Sequence, residues 1–111
     1  MNVYEAYKKI CESGLVIGSW GNVSAYESDS IVITPSGIPI DELNNEKLVR
    51  VELSGEIIDT DYRPSVDTDI HLEIYKGFDG VKSVIHTHSE YATIFAQSKM
   101  PIPCVGTTHA D

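Results

Sequence analysis

His86 and His88 stand one residue apart in Ile85-His86-Thr87-His88-Ser89. On a β-strand alternate side chains face the same way, so the two imidazoles project together. Two imidazoles on one rigid face can chelate a divalent ion, and zinc suits them at about 2.0–2.1 Å. The bland alternative is one core and one surface histidine on a twisted strand end. A catalytic zinc needs a third protein ligand, and Asp67, His71, Glu73 and His109 are candidates by residue type. Asp67 follows Arg63-Pro64-Ser65-Val66 and opens a helical pattern. Its bland role is an acid favouring a helix N-terminus; its chemical role is a metal ligand or general base. His71 reads as a buried helix residue and Glu73 as a solvated one. Three small-residue loops could meet an anion through backbone N–H groups: Gly21-Asn22, Ser36-Gly37 and Ser65-Val66. None matches a Walker or dinucleotide pattern.

These residues need elements to position them. Asn2, with Glu5 three residues on, has capping-box spacing, and Val3, Ala6, Tyr7, Ile10 and Cys11 recur on one helical face. Gly14 fits a C′ stop. Residues 23–26 and 31–34 predict a hairpin, closed off by Pro35-Ser36-Gly37. Residues 48–53 and 56–58 flank Ser54-Gly55, a second hairpin. Residues 67–78 read as a helix with Ile70, Ile74 and Phe78 on its apolar side. Residues 81–87 read as a buried strand, placing His86 and His88 at its end, where sites tend to lie in layered folds. Residues 90–97 read as a helix with Tyr91, Ala92, Phe95 and Ala96 available for packing. Pro101-Ile102-Pro103-Cys104-Val105 looks like the start of another strand. The mixture predicts an α/β domain in α/β/α layers.

Composition narrows the function classes. The 111 residues carry 8 Lys+Arg against 17 Asp+Glu, a net charge of −9, which argues against binding a nucleic-acid backbone. No apolar run approaches the ~18 residues of a membrane span. Met1-Asn2-Val3-Tyr4-Glu5 has no signal-peptide pattern, and two cysteines are too few for a disulfide scaffold. A cytoplasmic, reducing setting is the simplest expectation.

Trp20-Gly21-Asn22-Val23-Ser24, Thr34-Pro35-Ser36-Gly37, Pro64-Ser65-Val66-Asp67, His86-Thr87-His88-Ser89 and Gly106-Thr107-Thr108-His109-Ala110-Asp111 follow one another in order. In that order the chain resembles the class II aldolase/adducin-head superfamily, and within it the L-ribulose-5-phosphate 4-epimerase branch. The resemblance implies a three-layer α/β/α domain with a mainly antiparallel sheet, assembled as a cyclic homotetramer. It implies that His86, His88 and Asp67 hold Zn²⁺, with Mn²⁺ or Co²⁺ as alternatives. It further implies that Gly21, Asn22, Ser36, Gly37, Ser65 and Val66 meet the phosphate of a ketopentose substrate, and that Asp111 is an acid/base residue. Asp67 stands where the aldolase branch has Glu, which favours the epimerase. Val66 departs from the usual second Ser, removing one hydroxyl. Family members continue well past Asp111, and their third metal His and a second acid/base Tyr lie there. Residues 1–111 are therefore expected to form the N-terminal part of one domain, and to be inactive alone.

The implied reaction is a retro-aldol cleavage of C3–C4, rotation of the aldehyde, and bond formation on its other face. A close alternative is an L-fuculose-phosphate-like aldolase that releases the aldehyde. An adducin-head-like interaction module is the remote one, disfavoured by the presence of Asp67, His86 and His88.

Overall fold

A computed structural model describes residues 1–58 and 60–106. Helix α1 spans Val3–Glu12. The Asn2 side chain accepts the Glu5 N–H while Glu5 accepts the Asn2 N–H, the reciprocal cap its spacing predicts. The helix ends in a Schellman motif: Gly14, at φ 75°, donates to the Cys11 carbonyl and Leu15 to that of Ile10.

Five strands follow: β1 Asn22–Glu27, β2 Ser30–Ile33, β3 Val49–Glu52, β4 Ile57–Ile58 and β5 Ser83–His86. They form one sheet in the order β4-β3-β2-β1-β5, with every pairing antiparallel. The first hairpin turns tightly on Ser28 and Asp29, both at positive φ (48° and 63°). Two left-handed residues match the twist of a two-residue hairpin, even without glycine. Gly55, at φ 97°, turns the second hairpin, where the sequence places it.

Strand alternation sorts the core onto two faces. Ile31, Ile33, Val49 and Val51 pack with Leu72 of α2, Thr68–Gly77, on one face. Val23 packs with Val3 and Tyr7 of α1 and with Leu43 on the other. The result is the expected three-layer α/β/α arrangement.

Helix α2 turns a different face inward from the one its apolar pattern predicts. Ile70 and Phe78 are 58% and 64% exposed, whereas Thr68, His71 and Leu72 are buried. Polar residues occupy the inner face because the sheet offers them partners, as the site shows. Glu73 is exposed, as expected, and pairs with Lys76. Helix α3, Glu90–Gln97, has no fully buried residue: of the residues expected to be available for packing, Phe95 is partly buried while Tyr91, Ala92 and Ala96 lie exposed among the described residues. Residues 101–105 form no strand with any described residue and lie exposed. Pro101 and Pro103 lack the N–H groups that a ladder uses. No helix of the described residues is long and apolar enough to cross a membrane.

Candidate functional site

Antiparallel pairing sets Asn22, at the start of β1, opposite His86, at the end of β5. Residues directly opposite point to the same face, here the face covered by α2. The N-terminus of α2 brings Asp67 to the same point. Asp67 occupies the cap position, yet its side chain makes no capping hydrogen bond. Ser65 caps instead: its carbonyl accepts the Thr68 N–H and hydroxyl, and its Oγ accepts the Asp67 N–H. The Asp67 carboxylate is thereby released toward the sheet. Its Oδ2 accepts from Asn22 Nδ2 at 2.7 Å and from His86 Nδ1 at 2.9 Å. Partial burial opposes ionisation of Asp67, but these two hydrogen bonds and the nearby imidazoles outweigh it and hold the carboxyl below its ordinary value.

His86 and His88 do project together, with ring centroids 4.9 Å apart. The Trp20 ring lies tilted beside His88, with ring centroids 5.8 Å apart. With His86 Nδ1 engaged by Asp67, its Nε2 is the nitrogen left for a metal, the arrangement in which a carboxylate orients a ligating imidazole. The donor set therefore fits a divalent ion through His86 and His88. Asp67 sits behind His86, and no three His, Cys, Asp or Glu side chains among the described residues converge as a ready ligand group.

Two loops are stitched together beside this cluster. Pro35 and Pro64 form an antiparallel bridge, with Ser36 N–H donating to the Arg63 carbonyl and Ser65 N–H to that of Thr34. The Ser36 and Ser65 N–H groups thus build the loops and are not offered to a ligand. What the loops present are the side-chain hydroxyls and the N–H groups of Gly37 and Val66, which find no protein acceptor among the described residues. The third loop is fixed by close approach. Gly21 has φ 122°, and a Cβ there would lie 3.0 Å from the His86 carbonyl oxygen and 3.0 Å from Val16.

All of these residues line one cavity of about 640 Å³: Gly21, Asn22, Ser36, Gly37, Ser65, Val66, Asp67, His86 and His88. Asp111 and His109 lie outside the described residues. Trp20, Thr93 and Gln97 also line the cavity. The last two lie one turn apart on α3, and neither has a residue type or motif that marks it in the sequence. Among the described residues no Lys or Arg lines the cavity, so an anion there would rest on hydroxyls, N–H groups and any bound cation.

Beneath the cavity, His71 is 1% exposed, the buried helix residue it was expected to be. Burial depresses its pKa, and the nearby His86 adds to this against the opposing pull of Asp67. Such a group contributes stability above the ordinary histidine value of about 6.5, and that stability is lost as pH falls below it toward the folded-state value. Urea unfolding should therefore show falling stability between about pH 7 and pH 5, with a shallower slope in His71→Gln.

The whole chain, residues 1–111, matches the family model described as the class II aldolase and adducin N-terminal domain. Among solved structures, an L-fuculose 1-phosphate aldolase superposes with a TM-score of 0.85 at 31% identity, over 91% of this chain and 49% of that one. YgbL from Klebsiella pneumoniae, whose activity is left open among aldolase, epimerase and decarboxylase, gives 0.77 at 29% identity, over 85% and 45%. L-Fuculose-1-phosphate aldolase from Thermus thermophilus gives 0.72 at 26%, over 86% and 48%. The chain spans about half the length of these structures. The antiparallel sheet, the paired loops and the match along the full sequence lead to one assignment: the chain belongs to the class II aldolase and adducin N-terminal domain family.

Proposed function

We propose that the protein carrying this chain is an L-ribulose-5-phosphate 4-epimerase, interconverting L-ribulose 5-phosphate and D-xylulose 5-phosphate by cleaving and re-forming C3–C4. The observation that carries this reading is the Asp67 carboxylate drawn back onto Asn22 and His86 in the cavity that also holds the three loops. Asp67, with a side chain one methylene shorter than Glu, is one of the features that separate the epimerase branch from the aldolases.

The C4–H bond of a ketopentose phosphate is not acidic, so inversion by direct deprotonation is unfavourable. Cleavage of C3–C4 gives an enediolate and an aldehyde phosphate, and rotation of the aldehyde exposes its other face. Ser36, Ser65 and the N–H groups of Gly37 and Val66 would hold the phosphate, in the cavity that Gly21 and Asn22 also line. A cavity of about 640 Å³ leaves room for a small aldehyde to turn. Asp67 keeps His86 in one tautomer. Asp111 would exchange the C4-hydroxyl proton on one face. His86 and His88 would hold a divalent cation, Zn²⁺ or else Mn²⁺ or Co²⁺, which when bound supplies Lewis acidity for developing negative charge. The same reading expects a cyclic homotetramer acting in the cytoplasm.

A second reading is a sugar-phosphate aldolase, favoured by the similarity to an L-fuculose 1-phosphate aldolase at 31% identity. Incubating the full-length protein carrying residues 1–111 with L-ribulose 5-phosphate separates the two. D-Xylulose 5-phosphate is the expected product. Free glycolaldehyde phosphate would favour the aldolase, and turnover of neither kind would overturn the epimerase.

A further inference from the structure

Behind Asp67 a chain of buried polar groups crosses the interface between α2 and the sheet. His71 Nε2 lies 2.6 Å from Asn22 Oδ1, and His71 Nδ1 lies 2.7 Å from Ser24 Oγ. Ser24 Oγ lies 2.8 Å from the Tyr75 hydroxyl, which in turn is hydrogen-bonded by the Val84 backbone. Asn22, Ser24 and His71 are 3%, 0% and 1% exposed. No buried side-chain nitrogen or oxygen among the described residues lacks a partner.

The direction of every bond in this chain is determined. Ionised Asp67 only accepts, so Asn22 must turn its NH₂ toward it and its Oδ1 toward His71. An amide oxygen only accepts, so His71 Nε2 must carry a proton. A buried imidazole avoids the charged form, so Nδ1 is unprotonated and accepts from the Ser24 hydroxyl. Ser24, having spent its proton, accepts from Tyr75. All donors therefore point from Tyr75 through Ser24, His71 and Asn22 to Asp67, which also accepts from His86 Nδ1.

We propose that His71 is a positioning residue, which with Ser24 and Tyr75 locks the Asn22 carboxamide so that Asp67 Oδ2 holds His86 in the Nδ1–H tautomer with Nε2 open to the cavity. His71 touches neither cavity nor substrate and acts only through Asn22. If its Nε2 lost the proton, the Asn22 amide would gain by flipping, and its oxygen would then face the Asp67 carboxylate. The two acceptors would repel, and Asp67 would move off His86. The consequence for a metal rests on the epimerase or aldolase reading above, whereas the tautomer relay does not.

The test uses ¹⁵N-labelled full-length protein carrying this chain, without metal, and long-range ¹H–¹⁵N correlation at the imidazoles. The wild type should show His71 protonated at Nε2 alone and His86 protonated at Nδ1 alone. His71→Leu, which supplies no donor, should turn His86 into a tautomer mixture. His71→Gln, which keeps an N–H for Asn22 and an oxygen for Ser24, should restore the Nδ1–H form. Ser24→Ala, which removes one oxygen from a strand interior, covers the case in which His71→Leu does not fold; there His71 itself should become a tautomer mixture. Zn²⁺ titration of the same proteins should show affinity about 10- to 100-fold weaker in His71→Leu and near wild type in His71→Gln. A folded His71→Leu protein with His86 still wholly Nδ1–H, or a Ser24→Ala protein with an unaltered His71, would overturn the relay. Wild-type protein with the predicted tautomers but no affinity for Zn²⁺ would leave the relay standing and sink the metal reading.

Discussion

On the proposed reading, replacing His86 with alanine should lower turnover of the sugar phosphate by about a thousandfold or more while the fold persists. A Lewis-acid metal stabilises developing charge by several kcal/mol, and each 1.36 kcal/mol is tenfold in rate, so losing a ligand costs about three decades. The fold persists because the His86 side chain is more than a third exposed and ends its strand. Asp67 keeps its Asn22 partner in the variant, so no buried charge is left unpaired. The expected readout is a collapse of kcat/KM and Zn²⁺ affinity in the full-length protein with little change in the urea midpoint. His88→Ala should behave alike. Glu73→Ala, on the exposed side of α2, should leave both quantities unchanged. Loss in the Glu73 variant equal to that of the His86 variant would mean that the cavity is not the reacting site.

Gly21→Ala gives the second large effect, on stability and site together. A φ of 122° is a backbone conformation that L side chains rarely adopt. The added Cβ would also press on the His86 carbonyl and on Val16, both at 3.0 Å. Backbone strain of this kind costs about 1–3 kcal/mol and overpacking costs a similar amount, so we expect a loss of about 2–4 kcal/mol. The push falls on the peptide that carries His86, so Zn²⁺ affinity should fall with stability. Gly37→Ala is the control. It too has positive φ, 73°, but its Cβ would meet open space, and the expected cost is about 1–2 kcal/mol. Denaturant unfolding of the two variants checks the ranking; equal losses would show that the contact with His86 contributes nothing.

Much of this arrangement was legible because it is local. The Asn2–Glu5 cap, both hairpins, and the projection of His86 with His88 depend on residues close together in sequence. What escaped the sequence depends on partners far along the chain. The spacing of Ile70, Ile74 and Phe78 suggested an inward stripe on α2; burial of His71 was expected, but its partners were not, and His71 and Tyr75 turn toward the sheet because Asn22 and Ser24 satisfy their polar atoms. Periodicity registers apolar character and is blind to such pairing. Asp67 at a helix start suggested an acid favouring the helix N-terminus, a metal ligand or a general base; that Ser65 supplies the capping contacts and that Asp67 accepts from Asn22 and His86 depend on distant partners. Ser36 and Ser65 looked like anion-binding amides, but the Pro35–Pro64 bridge uses their N–H groups. Thr93 and Gln97 reached the cavity from a helix whose pattern showed only its apolar residues. The Gly106–Asp111 motif, which weighed toward the epimerase, falls mostly outside the described residues.

The proposed route through this cavity breaks and remakes a carbon–carbon bond without removing the C4 hydrogen. It is tested most directly with L-ribulose 5-phosphate carrying deuterium at C4, incubated with the full-length protein in ordinary water and analysed by mass spectrometry. Complete retention of deuterium in the product, whether D-xylulose 5-phosphate or glycolaldehyde phosphate, is the predicted result. Washout of that deuterium into solvent at the rate of turnover would show deprotonation at C4 and contradict the account.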